Sequence, residues 1–147
     1  MRIAVWPILR SSNGRALIDF LCEAFGFEES FVTSSGDGKK IVHAQLTWPL
    51  GRGVMLGDIG MHDFEVGHTG PSFVYLVTDQ PDALYKRSTS AGAKIVHPLV
   101  DRDSYESREF SVKDPEGNVW GLEHTQENRT ARQPFLKYEL RKLNQGQ

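Results

Sequence analysis

At 147 residues, with 39% apolar and 24% charged side chains, the chain has the composition of one globular domain and not of a disordered or fibrous protein. A net charge of −2 offers no basic surface for nucleic acid, and the single cysteine, Cys22, excludes an internal disulfide. No apolar run approaches the roughly 18 residues of a membrane span, and the N-terminal segment meets Pro7 and polar residues too early for a signal peptide. A cytoplasmic protein with neither membrane nor nucleic-acid partners is the expectation.

Residues 3–9 are apolar enough for a strand. Ser12 or Asn13 can cap the helix that follows, whose Ala16, Leu17, Phe20, Leu21 and Ala24 share one face and which ends at Gly26. Residues 27–33 predict a second strand and Ser-Ser-Gly-Asp-Gly at 34–38 a turn. Residues 39–47 alternate, with Val42, Ala44 and Leu46 on one side and Ile41, His43, Gln45 and Thr47 on the other. Gly51-Arg52-Gly53 is a hairpin turn, not a phosphate loop, because no helix follows it, and 54–58 form a fourth strand. Beyond a linker at 59–70, residues 72–78 are a strand, and Asp79 and Pro81 start a helix that ends before Gly92. Residues 93–97 predict a short strand and 98–104 a polar loop. Residues 105–113 then alternate, Phe110 and Val112 against Tyr105, Ser107, Glu109 and Ser111. Asp114 to Asn118 is a turn and 118–124 the last strand, while 129–144 are compatible with a helix after Pro134.

The halves repeat. Gly26 and Gly92, the triplets at 49–51 and 115–117, and Leu56 and Leu122 all stand 66 residues apart. The fold expected is α+β, two tandem βαβββ modules forming a cup-shaped mixed sheet in one domain. Module one is 1–58, the linker 59–70, module two 71–124 and a tail 125–147. Each helix must cover the apolar face of its own sheet, so the opposite faces are expected to line a shared cup. Alternation puts His43, Gln45, Tyr105 and Glu109 there. His43 and Glu109, again 66 apart, read either as a general base with an orienting carboxylate or as a pocket wall ion-paired to Arg108 or Arg102. Trp6, Met55 and Tyr105 suit an apolar or aromatic ligand; the bland alternative is packing or a dimer interface. Trp120 reads as core, Trp48 as interface or edge cover, and Cys22 as inert packing.

The segment Arg108-Glu109-Phe110-Ser111-Val112-Lys113-Asp114-Pro115-Glu116-Gly117-Asn118-Val119-Trp120 resembles the signature of the glyoxalase/bleomycin-resistance/dioxygenase (vicinal oxygen chelate) superfamily. Phe20 to Phe27 and His43-Ala44-Gln45-Leu46 resemble motifs of its PhnB-like branch. The resemblance covers nearly residues 1–124 and implies paired modules, a cup-shaped pocket and a homodimer. Metal enzymes of that family take ligands from the first and fourth strands of both modules. The corresponding positions here are near Trp6 and Ser72, and at Met55 and Gly121. None is a histidine or a carboxylate, so no metal and no cofactor is expected. A regrouped site could draw on His43, Glu109 and Glu123; His62, Glu65 and His68 read as a solvated linker.

The function expected is metal-free binding of a small molecule, with sequestration of a toxic or antibiotic ligand as the style the resemblance implies. Trp6, His43, Gln45, Met55, Ser72, Tyr105, Glu109 and Glu123 are the candidate ligand-binding residues. The alternative is a lyase, isomerase or dioxygenase with a non-standard metal site or a His43/Glu109 acid–base pair as its catalytic residues. A third reading is a dimeric interaction module.

Overall fold

The computed structural model describes residues 5–61, 72–102 and 107–125. Module one contains β1 (Ile8–Ser11), α1 (Gly14–Phe25), β2 (Glu28–Ser34), β3 (Ile41–Thr47) and β4 (Gly53–Asp58). Module two contains β5 (Phe73–Val77), α2 (Pro81–Ser90), β6 (Lys94–Arg102), β7 (Ser107–Lys113) and β8 (Val119–Thr125). Each module is one four-stranded mixed sheet, ordered β1-β4-β3-β2 and β5-β8-β7-β6, in which the first strand runs parallel to the last. This is the expected two-module α+β fold. Tyr105, the linker residues His62, Glu65 and His68, and the tail helix expected after Pro134 lie outside the described residues. No described helix is long and apolar enough to cross a membrane.

α1 forms where the sequence places it. Asn13 caps it by accepting from the Ala16 N–H at 3.1 Å, and Leu17, Ile18, Phe20, Leu21, Ala24 and Phe25 form its buried face. Gly26 ends it at φ +82°, where a Cβ would also stand 2.8 Å from Arg87 Nη1. The hairpin turns repeat at the expected offset. Gly51 N–H donates to the Trp48 carbonyl as Gly117 N–H does to that of Asp114, each at 3.0 Å. Asp114 stabilises the second turn further. Its carboxylate accepts from the Glu116 and Asn118 amides and from Asn118 Nδ2 and Trp120 Nε1, all within 3.0 Å. The family-like signature is thus a scaffold for Trp120, which is fully buried.

Three expectations are corrected. The strand expected at 3–9 begins only at Ile8 among the described residues, after Pro7, which has no N–H to donate. In β3 a register shift opposite Thr33 and Ser34 turns Ile41 into the core in place of Val42. The loop expected at 98–104 is strand as far as Arg102. β6 is an edge strand with shifts around His97, and there Pro98 is tolerated without a ladder bond.

The modules join through their helices, α1 against α2, around one shared core. Phe25 and Phe27 of module one pack on Trp120 of module two, with ring centroids 5.2 and 5.8 Å away. Module two also grips both ends of α1. The Glu116 carboxylate accepts from the Ser12 and Asn13 amides, each at 2.9 Å, and Arg87 donates to the Cys22 and Glu23 carbonyls at 3.0 and 2.8 Å. An anion at the helix N-terminus and a cation at its C-terminus both complement the backbone dipole.

Candidate ligand-binding site

With the helices on one side of each sheet, no described helix covers the other side, the open face. On module one the open face carries the cross-strand row Ile8, Met55, Gln45 and Phe31. Beside it the His43 ring packs on Phe31 at 6.0 Å, and Arg10 passes over Gly57 to donate to the Asp58 carbonyl at 3.2 Å. This half is apolar with basic groups at one end.

On module two the open face carries two rows: Tyr75, Gly121, Ser111 and His97, then Val77, Glu123, Glu109 and Val100. Glu109 and Glu123 are direct cross-strand partners. Ser107 Oγ stands 3.4 Å from one and 3.3 Å from the other, and Arg102 Nε donates to Glu109 Oε1 at 2.9 Å. Of the two sequence alternatives for Glu109, the Arg102 ion pair is therefore present; Arg108 instead bridges Asp82 and Asp101 at 2.7 and 3.0 Å. A cavity of about 170 Å³ lies over these rows, lined among others by Phe73, Tyr75, His97, Ser111, Glu109 and Glu123. A larger one, about 750 Å³, lies between the β5 edge and the hairpin at 48–54, with Trp48, Phe27 and His124 in its wall.

His43, Gln45 and Met55 line neither cavity. β1 and β5 are edge strands of separate sheets and share no ladder. The cup expected between the halves of one chain is thus two open faces, and His43 and Glu109 stand on different sheets. Glu109 and Glu123 are brought together; Gln45 and Met55 are neighbours on the other face. Trp6 lies against Gly53, where a Cβ would meet its ring at 2.8 Å. Ser72 sits at the end of its sheet, its amide donating to Asn118 Oδ1 at 3.0 Å. Cys22 is half-buried in α1, and burial pushes its thiol up, which suits inert packing.

The ladders also test the metal-ligand positions. Gln45 pairs with Met55 as Ser111 pairs with Gly121, which keeps the offset of 66. Leu9 beside Leu56 corresponds to Leu76 beside Leu122, an offset of 67. From its first residue to the glycine that follows it, α2 is one residue shorter than α1, so the ungapped repeat does not extend back through the helix. The first-strand neighbours of Met55 and Gly121 are therefore Ile8 and Tyr75. An alkyl chain, a thioether and a hydrogen supply no useful donor, and a neutral phenol is a poor one. At Gly121 a Cβ would stand 2.9 Å from Phe73 Cζ and 3.4 Å from Tyr75 Cδ2, so rings occupy the space a ligating side chain would need. These positions do not fit a metal, and no group of three or more His, Cys, Asp or Glu suited to one exists among the described residues.

Sequence reasoning missed Phe73, Ser111, His97 and Val100 as wall residues. Ser111 was readable from the alternation that placed Glu109, and His97 lay in the short strand expected at 93–97; Val100 was hidden by reading 98–104 as a loop.

The model of the Glyoxalase/Bleomycin resistance protein/Dioxygenase superfamily matches residues 4–122. Among solved structures, TioX from Micromonospora sp. ML1 is 28% identical at a TM-score of 0.70, over 83% of this chain and 99% of that one. A V278E mutant of glyoxalase I from Zea mays is 21% identical at 0.62, over 79% of this chain and 42% of that one. A glyoxalase-related enzyme from Clostridium phytofermentans is 14% identical at 0.66, over 85% and 96%. Likeness at the last two levels shows the fold alone. No curated protein matches the sequence.

Proposed function

Because the chain belongs to the Glyoxalase/Bleomycin resistance protein/Dioxygenase superfamily, we propose that it is a metal-free binding protein for a small organic molecule, with sequestration of a toxic or antibiotic compound as its task. The observation that carries this reading is the chemistry of the four ladder positions. Ile8, Met55, Tyr75 and Gly121 replace metal donors with apolar and aromatic surface, and the Phe73 ring fills the space over Gly121. Affinity then comes from apolar burial with a few polar groups for orientation. The motifs at 20–27 and 43–46 favour the PhnB-like branch, and the composition favours a cytoplasmic protein.

A homodimer belongs to the same proposal. The module-one face carries Arg10 and His43, and the module-two face carries Glu109 and Glu123. Ile8, Phe31, Phe73 and Tyr75, between 48% and 67% exposed, lie on those two faces. A second copy that lays one face against the other about a twofold axis covers this apolar surface and pairs opposite charges. It thereby joins the two half-sites into cups and sets His43 of one protomer toward Glu109 of its partner.

Metal analysis of protein purified without chelator, followed by a thermal-shift screen of aromatic compounds, tests the reading. A site filled to about 100 times Kd adds about 2.7 kcal/mol of stability. A stoichiometric divalent ion that is lost in Glu123→Ala would overturn metal-free binding. Turnover of a 2-oxoaldehyde–thiol adduct would replace it with the lyase reading.

A further inference from the structure

We propose that the larger cavity is the seat of this chain's own C-terminal tail, residues 126–147, rather than a site for the small ligand. The cavity runs along a sheet edge. β5 is the outer strand of its sheet, and no described strand pairs with its far side. Successive side chains of a strand point to opposite faces, so a wall that includes every residue from Val74 to Asp79 is that edge itself. The opposite wall is apolar, with Phe27, Trp48, Leu50 and Val54. Leu50 is 53% exposed, and Val5, at the same cavity, 90%. An apolar edge open to solvent invites pairing with other chains, and folded proteins blunt such edges by covering them with a helix or a loop.

Three observations name the tail as the cover. The first is where the chain leaves the fold. β8 runs parallel to β5 and pairs Glu123 with Val77, the Thr78 amide donates to the Glu123 carbonyl at 2.9 Å, and His124 is in the cavity wall. The described chain therefore stops, at Thr125, on the rim of the groove. The second is reach. Residues 126–135 span at most about 33 Å when extended and β5 is about 17 Å long, so the apolar residues beyond them can reach the whole length of the groove. The third is pattern. Leu136, Leu140 and Leu143 stand at i, i+4 and i+7, with Lys137, Glu139, Arg141 and Lys142 between them. That spacing is one apolar stripe of the helix expected after Pro134, and an amphipathic helix lays such a stripe into an apolar groove. The dimer proposed above covers sheet faces, whereas this groove follows an edge, so the two are compatible. A groove filled by the chain itself is part of the fold and leaves the ligand to the open faces.

Disulfide trapping in the full chain tests this. Lys39 precedes β3 and Leu50 follows it, so they stand beyond opposite ends of that strand, and both are exposed positions where a substitution should leave the fold intact. In a Cys22→Ser background, Leu50→Cys with Leu140→Cys is expected to close an intramolecular disulfide at least about tenfold faster than Lys39→Cys with Leu140→Cys. Trypsin gives a second readout. It should cut after Lys137 and Arg141 at least about tenfold faster in Leu136→Asp/Leu140→Asp than in wild type, with hydrogen exchange in α1 unchanged. Equal trapping rates for the two cysteine pairs, or a wild-type tail cut as fast as the doubly substituted one, would overturn the seat. A disulfide between positions 50 and 140 found only between two copies would put the tail on a partner and overturn its assignment to the same chain.

Discussion

Asp58 is a buried carboxylate whose partners are all structural. Oδ1 accepts from Ser11 Oγ and from the Gly14 amide, both at 2.7 Å, and Oδ2 accepts from the Ile41 amide at 2.8 Å. The side chain ties the end of β4 to the start of α1 and to β3. Asp58→Ala leaves three buried donors without an acceptor and is expected to cost roughly 3 kcal/mol in urea unfolding, with the m-value unchanged. Gly26 faces a different constraint. Its φ of +82° and the guanidinium beside it predict that Gly26→Ala loses about 1–2 kcal/mol. Neither residue places a side chain on the open faces, so both variants should keep ligand affinity, and loss of binding in a folded Gly26→Ala protein would contradict the placement of the site.

α1 is the element on which the modules meet, and its termini carry the charges of module two. Glu116→Gln weakens the acceptor for the Ser12 and Asn13 amides, an exposed site worth about 0.5–1 kcal/mol. The loss should appear in hydrogen exchange as faster opening of the first turn of α1, with module-two strands unaffected. A second electrostatic contact joins α2 to β6 and β7. The Arg108 guanidinium holds the Asp82 carboxylate below its ordinary range, and Asp82 with Asp101 holds Arg108 above its own. A carboxylate with a depressed folded pKa adds stability above its unfolded pKa of about 3.9 and loses it as pH falls through the folded value. Wild type should therefore melt above Asp82→Asn at pH 7, by a small margin because the pair is exposed, and the curves should converge as pH falls through the depressed folded pKa of Asp82. At this scale the helices, the turn at 114–118 and β7 were legible, since their signals are local: a cap, a glycine, a period. β6 was not. Pro98 and the polar residues around it read as loop, and only the neighbouring strand β7 supplies the ladder that makes them an edge strand.

At the scale of the molecule the proposal of paired faces predicts its own mass. Sedimentation at micromolar concentration should give twice the 16.6 kDa of the chain. Phe31→Glu, at a position 55% exposed and packed on His43, should weaken the dimer at least about tenfold without lowering the stability of the fold. The same variant should cost ligand affinity if cups form between protomers, and should spare it if module two binds alone.

The amino-acid sequence by itself determined the two βαβββ modules, the buried face of the first helix and the alternation that put Glu109 and Gln45 on open faces. Apolar period, turn residues and a repeat offset are properties of neighbouring positions, and they survive without knowledge of what packs on them. Only the tertiary structure decided the rest. A helix one residue shorter shifted the first-strand offset from 66 to 67, and the parallel ladders with β4 and β8 put Ile8 and Tyr75, not Trp6 and Ser72, beside Met55 and Gly121. A bulge put Ile41 in the core, and the two sheets, which share no ladder, left His43 outside the cavity that Glu109 lines. Each of these follows from contacts between segments far apart in the chain, where a single residue of slip changes which side chain meets which and leaves the local pattern unaltered.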